Sequence, residues 1–164
     1  MIFVTLGSQK FQFNRLLKAI DSQISLCSIK DNVFAQIGFS DYIPNNYESK
    51  KFLDRDEFQN KISECSLVIT HSGTGAIISS LKANKKVIAC PRLKMYGEHV
   101  DDHQVQIASE FSDLGLIEMC QNFDELPKYI DLAIHKSYAT YQSHNSDYLA
   151  NLEEYLNRLC SFNI

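Results

Sequence analysis

The stretch Val68-Ile69-Thr70-His71-Ser72-Gly73-Thr74-Gly75-Ala76-Ile77-Ile78 leaves this chain few folds to choose from. Val68, Ile69 and Thr70 are β-branched and suit a strand covered on both faces, as in a parallel sheet. Gly73 and Gly75 permit a sharp turn and bring bare backbone to its surface. The apolar residues after them read as a helix, with its first free N–H groups and positive dipole end facing the turn. Such a turn suits an anion, most naturally a phosphate. An ordinary strand-to-helix connection uses the same residues, and Gly73-Thr74-Gly75 lacks the third glycine of the dinucleotide fingerprint. The turn alone leaves both readings open.

The rest of the chain supplies the sheet. Ile2 to Leu6 reads as a first strand ending at Gly7-Ser8, followed by a helix with Phe13, Leu16, Leu17, Ile20 and Ile24 at helical spacing. Val33 to Ile37 reads as a second strand, and a short third is expected around Phe52-Leu53. Asp54 has the position of an N-cap for a helix through Phe58 and Ile62. The central strand and its helix, to about Leu81, come next. Val87 to Cys90 reads as another strand, a helix opens near Asp101 or Asp102, and Leu116-Ile117 begins a last strand. A helix over 124–134 and an amphipathic one at about 146–160, with Leu149, Leu152, Leu156 and Leu159 on one face, complete the chain. That leucine face either packs on its own domain or docks a partner. Strands alternating with helices imply βαβ units, hence an α/β fold: one Rossmann-like, doubly wound parallel sheet spanning 1–164 as a single domain.

Composition narrows the function class. A chain of 164 residues is long enough for one cored domain and too short for two full α/β domains. A net charge of −4 argues against broad nucleic-acid binding, which favours a basic face. Five cysteines without paired spacing read as core thiols in a reducing compartment. No leader pattern and no run of about 18 apolar residues is seen, so a cytoplasmic protein is expected.

In a doubly wound sheet, ligands bind beyond the carboxyl ends of the strands. Gly7-Ser8, the turn from His71 to Gly75, and the polar segment Pro91 to Gln104 all fall at that edge. Within the segment, Arg92 and Lys94 are suited to neutralising a diphosphate. Asp102, His103 and Gln104 have the hydrogen-bonding groups to read sugar hydroxyls, or else cap and solvate a helix start. His99 and His103 are four apart with Asp101 and Asp102 between them, a spacing compatible with metal. Gly97 argues against a continuous helix through His99, and spacing identifies no third ligand, so no metal site is assigned. His71, ending a buried strand, either bonds a neighbouring backbone group or faces the ligand. Ser72 is in no G-x-S-x-G elbow, which argues against hydrolase chemistry.

His71-Ser72-Gly73-Thr74-Gly75, then Pro91-Arg92-Leu93-Lys94 and Tyr96-Gly97-Glu98-His99-Val100-Asp101-Asp102-His103-Gln104, with Phe3-Val4-Thr5-Leu6-Gly7-Ser8 at the start, resemble the C-terminal domain of family 28 glycosyltransferases. The likeness runs from residue 1 to about 120. It is greatest to short, single-domain members of bacterial capsular and exopolysaccharide synthesis, which are similar to the soluble subunit of the eukaryotic two-chain enzyme adding the second N-acetylglucosamine to dolichol-linked sugar.

The resemblance implies the C-terminal half of a GT-B enzyme, the half that holds a nucleotide-sugar donor. It implies a UDP-sugar as donor substrate, no cofactor and no obligate metal, and a membrane-associated partner subunit that binds the lipid-linked glycan acceptor. The chain would then sit at the inner face of the membrane through that partner. A hexose, galactose or glucose, is the expected cargo. Donor contacts are implied at Gly7, Ser8, His71, Ser72, Gly73, Thr74, Gly75, Arg92, Glu98, His99, Asp102, His103 and Gln104, with the catalytic base on the partner. Longer relatives bind ribose with a glutamate in the helix after the turn, where this chain has Ile78-Ser79-Ser80, so the ribose contact is unassigned. A non-catalytic, nucleotide-sugar-binding accessory protein and a metal-dependent hydrolase using His99 and His103 are the alternative readings.

Overall fold

A computed structural model describes residues 1–142, and the amphipathic segment expected at about 146–160 lies outside them. Six parallel strands form one sheet: β1 (Ile2–Thr5), β2 (Val33–Gln36), β3 (Glu48–Lys50), β4 (Leu67–Thr70), β5 (Lys86–Ala89) and β6 (Glu118–Met119). Their order is β3-β2-β1-β4-β5-β6, so the winding reverses between β1 and β4. The helices are α1 (Asn14–Ser25), α2 (Arg55–Glu64), α3 (Thr74–Lys82), α4 (His103–Asp113) and α5 (Leu126–His135). This is the doubly wound α/β sheet that the alternating pattern implies.

The strands divide their side chains by parity, as a pleated strand must. Ile2, Val4, Val33, Ala35, Leu67, Ile69 and Ile88 pack with Leu16, Leu17 and Ile20 of α1 and Leu126, Ile130 and Ala133 of α5. Phe3, Val68, Val87 and Ala89 face the other way, onto Ile62 of α2, Ile77 and Leu81 of α3 and Ala108 of α4. Two apolar layers therefore sandwich the central strands. Each fully buried Leu, Ile or Phe contributes about 1.5–3 kcal/mol to that sandwich.

Both edge strands differ from expectation. β3 falls at Glu48–Lys50 rather than at Phe52-Leu53, because an edge strand needs no apolar alternation and its charged side chains protect the open edge. Phe52-Leu53 instead follows it, with the Leu53 N–H donating to Gln36 Oε1 at 3.3 Å. At the opposite edge, Leu116 and Ile117 are buried, but pairing with β5 begins at Glu118. Asp54 does cap α2: its carboxylate accepts the Glu57 N–H at 2.8 Å while Glu57 accepts the Asp54 N–H at 3.0 Å, a full capping box.

Cys65, Cys90 and Cys120 are buried free thiols and Cys27 is exposed. Among the described residues, no helix is long and apolar enough to cross a membrane.

Candidate functional site

The carboxyl ends of β1 and β4 open into a cavity of about 540 Å3, a size suited to a small-molecule ligand. Gly7, Ser8 and Gln9 form one lip, and His71, Gly73, Thr74, Gly75 and Ala76 form the other. Gly73 occupies the N-cap position of α3 and offers no side-chain cap, and the first turn of the helix carries no acidic residue. The N–H groups of Thr74 and Gly75 thus present the positive end of the helix to the cavity. A larger groove of about 750 Å3 runs between β3 and α2, past Phe34, Ile43 and Lys61, but the glycine turn does not reach it.

His71 is the spacer that shapes this site. Its Nδ1 lies 3.2 Å from the Thr5 carbonyl, which can only accept, so Nδ1 carries the proton and Nε2 is bare. Burial, then the positive charge of Arg92, push its pKa down to about 4 against the opposing pull of the Thr5 bond. The imidazole is neutral at pH 7. The ring lies between the two glycine lips: a Cβ at Gly7 would sit 2.7 Å from His71 Cε1, and one at Gly73 would fall on Nε2. Gly7 also has φ +70°, a left-handed conformation that excludes most side chains. Both glycines are required by one histidine.

The other expected donor contacts are placed differently. Ser72 is fully buried at φ +67°, with its hydroxyl unpartnered beneath the turn rather than in the cavity wall. Arg92 is fully buried too, its Nη2 donating to the Leu6 carbonyl at 2.9 Å and the Phe11 carbonyl at 3.1 Å. Arg92 is expected to neutralise a diphosphate, but it does not line the cavity: its Nη2 holds the backbone on either side of the Gly7 loop, while Nε and Nη1 are buried without partners among the described residues. Burial lowers its pKa to about 10, so it remains charged and acts on the cavity through its field. Gln104 is buried beside it, with Oε1 accepting the Arg92 N–H at 3.2 Å.

Glu98 is likewise engaged by the protein. It accepts two hydrogen bonds from Arg15, at 3.0 and 2.9 Å, and one from the Leu93 N–H. His99 is buried behind Gln9, with Nε2 3.3 Å from Gln9 Oε1. Asp102 occupies the N-cap position of α4 but accepts the Lys94 N–H instead of a helix N–H. His103 is exposed and pairs with Asp101. Glu98, His99, Asp102, His103 and Lys94 thus lie outside the cavity wall, because the Pro91–Gln104 segment runs behind the Gly7 loop and supports it.

The model of the glycosyltransferase family 28 C-terminal domain matches residues 1–157. The chain belongs to this family. Its relatives include UDP-N-acetylglucosamine transferase subunit ALG13 of Saccharomyces cerevisiae, 44% identical over 54 residues, or 33% of this chain and 25% of the relative. The human subunit of the same name is 25% identical over 128 residues, or 73% of this chain and 11% of the relative. The chain therefore spans a small part of these relatives' length. Among solved structures, the fold matches CalG4, the calicheamicin glycosyltransferase (TM-score 0.62, 17% identity, 83% of this chain and 34% of that one). It also matches Acinetobacter baumannii MurG (TM-score 0.60, 17% identity, 91% and 48%).

In this family 28 domain the structure adds cavity residues that the sequence did not mark. Gln36, ending β2, donates from Nε2 to the Gly7 carbonyl at 3.2 Å and so holds the lip. A polar residue closing an apolar strand was its signal. Leu53, Asp54, Arg55, Phe58 and Gln59 form the far wall, contributed by the β3–α2 junction. Their approach depends on where β3 ends, which spacing did not locate. Ser79, one turn along α3 from Gly75, also faces the cavity, whereas Ser80 is buried and donates to the Ala76 carbonyl at 2.8 Å.

Proposed function

We propose that this chain is the donor-binding subunit of a two-chain glycosyltransferase, holding a UDP-sugar for transfer to a lipid-linked glycan carried by a membrane-associated partner. The observation that supports it most is the uncapped start of α3 facing the Gly7 lip at the β1/β4 reversal, within a family 28 domain. The diphosphate lies against the free N–H groups of Thr74 and Gly75, with the buried charge of Arg92 behind it and no obligate metal between. The nucleoside extends along α3, where Ser79 offers a hydroxyl to the ribose and Leu53 and Phe58 offer apolar surface to the base.

In the reaction, an acceptor hydroxyl on the partner attacks the anomeric carbon. The new C–O bond forms as the bond to the β-phosphate oxygen breaks, UDP leaves with the electron pair, and a base on the partner takes the proton. The helix start and Arg92 stabilise the charge that develops on the departing diphosphate. The chain works at the cytoplasmic face of the membrane through its partner.

The curated relatives are named for N-acetylglucosamine, so UDP-N-acetylglucosamine heads the donor screen. UDP-galactose and UDP-glucose, which fit a capsular or exopolysaccharide pathway, are compared with it. The deciding experiment reconstitutes chain and partner with each donor. Transfer that needs both chains and is abolished by Gly73→Asp is expected. Full transfer by the partner alone would make this chain an accessory protein, and full activity of the Gly73→Asp pair would remove the site.

A further inference from the structure

Behind the Gln9 lip, the structure joins three groups that spacing alone had not. A ring nitrogen of His99, a carboxylate oxygen of Asp101 and a ring nitrogen of His103 all lie within 4.8 Å of one another, and both Nδ1 atoms face Asp101 Oδ1. His103 is the first residue of α4 and His99 belongs to the preceding loop, so a bend rather than a helix face brings the two rings together, with centroids 4.6 Å apart. Asp101 supplies the third ligand atom that the i, i+4 reading lacked.

The hydrogen bonds explain His103 but not His99. Asp101 Oδ1 accepts from the His103 backbone N–H at 3.2 Å and pairs with its ring Nδ1. His99 is only 8% exposed, and its Nε2 donates to Gln9 Oε1 at 3.3 Å. In the neutral ring that bond leaves Nδ1 as a lone pair, buried and without a hydrogen-bond partner. It faces Asp101 Oδ1 at 3.3 Å, so one acceptor confronts another. A cation between them removes the conflict. A carbonyl on the far ring nitrogen is also the usual arrangement that orients a metal-binding histidine.

We propose that His99 Nδ1, Asp101 Oδ1 and His103 Nδ1 form a site for a divalent transition-metal ion of the zinc class. The ion takes the place of the proton that His103 Nδ1 shares with Asp101, which passes to the far nitrogen of the same ring. Two imidazole nitrogens and one carboxylate are a borderline-soft donor set that favours such ions over magnesium or calcium. Asp101 and His103 are about half exposed, which leaves the remaining coordination positions to water. An ion here fastens His99, and through it Gln9, a lining residue of the donor cavity. The site is separate from the proposed diphosphate cradle and does not depend on it.

The test is titration of the full chain, stripped with a chelator, with Co2+ followed by absorption, and with Zn2+ against a chromophoric chelator. One equivalent should bind without a thiolate charge-transfer band. Asp101→Asn and His103→Ala, both at exposed positions, should each weaken binding at least about tenfold, and Gln9→Ala, which removes the orienting carbonyl, by about 10–100-fold. His135→Ala, at another exposed histidine beside an aspartate, should leave binding unchanged. Circular dichroism melts confirm that each variant is folded. Absence of uptake, uptake unaffected by Asp101→Asn and His103→Ala, or a thiolate band would overturn the proposal.

Discussion

Replacing Gly73 by alanine tests how the cavity is built. Gly73 has φ −69° and ψ 127°, a conformation that alanine adopts freely, so the backbone itself raises no objection. The obstacle is His71: the new Cβ would overlap Nε2 and lie 2.8 Å from Cε1. The ring cannot retreat towards Gly7, which it already crowds, and cannot swing away without giving up the Thr5 carbonyl. Overpacking of this kind costs about 1–3 kcal/mol, and a lost hydrogen bond adds about 0.5–1.5 kcal/mol. Restricting the unfolded chain returns about 0.4–1 kcal/mol, leaving a net loss of about 0.5–4 kcal/mol. Urea denaturation of the single variants and of His71→Ala/Gly73→Ala measures it. Removing the ring makes room for the methyl group, so the cycle should show a favourable coupling of about 1–3 kcal/mol. A Gly73→Ala protein as stable as the parent, or effects additive within about 0.5 kcal/mol, would refute the packing argument.

Other outcomes follow from the same geometry. The folded His71 imidazole resists protonation down to about pH 4, whereas the unfolded one binds a proton near 6.5. Its contribution is therefore fully present above about pH 6.5 and is lost as pH falls towards 4, by up to about 3 kcal/mol, and the extra acid sensitivity relative to His71→Gln in denaturant melts checks it. Gly75→Ala meets no atom within 4 Å, so it should stabilise the helix by about 0.5–1 kcal/mol in urea melts. The same methyl group projects into the cavity and should weaken UDP binding by calorimetry. Asp54→Ala breaks the α2 capping box and should cost about 1 kcal/mol by thermal melting. Glu98→Ala leaves Arg15 and Arg92 without their buried counter-charge and should cost about 3–5 kcal/mol in the same assay.

The strand-turn-helix from Val68 to Ile78 was legible because three local signals agree there: β-branched residues, glycines and an apolar helical run. The doubly wound sheet followed from the same alternation repeated along the chain. The edge strands were not legible, since Glu48-Ser49-Lys50 has neither apolar period nor turn residues, and only pairing with β2 makes it a strand. That error hid the far wall of the cavity, which β3 delivers through Leu53 to Gln59. Arg92 and Glu98 were misplaced for a different reason. A charged residue in a polar segment looks solvent-facing, yet Glu98 is buried against Arg15 and the Leu93 N–H, and Arg92 against the Leu6 and Phe11 carbonyls. His71 was seen with both of its options open, and the Thr5 carbonyl decides between them.

The central claim is that the cavity between Gly7 and Gly73 binds the diphosphate of a nucleotide-sugar donor. Titration of the full chain with UDP, followed through backbone amide resonances, tests it most directly. Saturable shifts concentrated at Gly7, Ser8, Gly73, Thr74 and Gly75 are predicted, and Gly73→Asp should abolish them. No saturable shift, or shifts confined to the groove beside Ile43 and Lys61, would contradict the account.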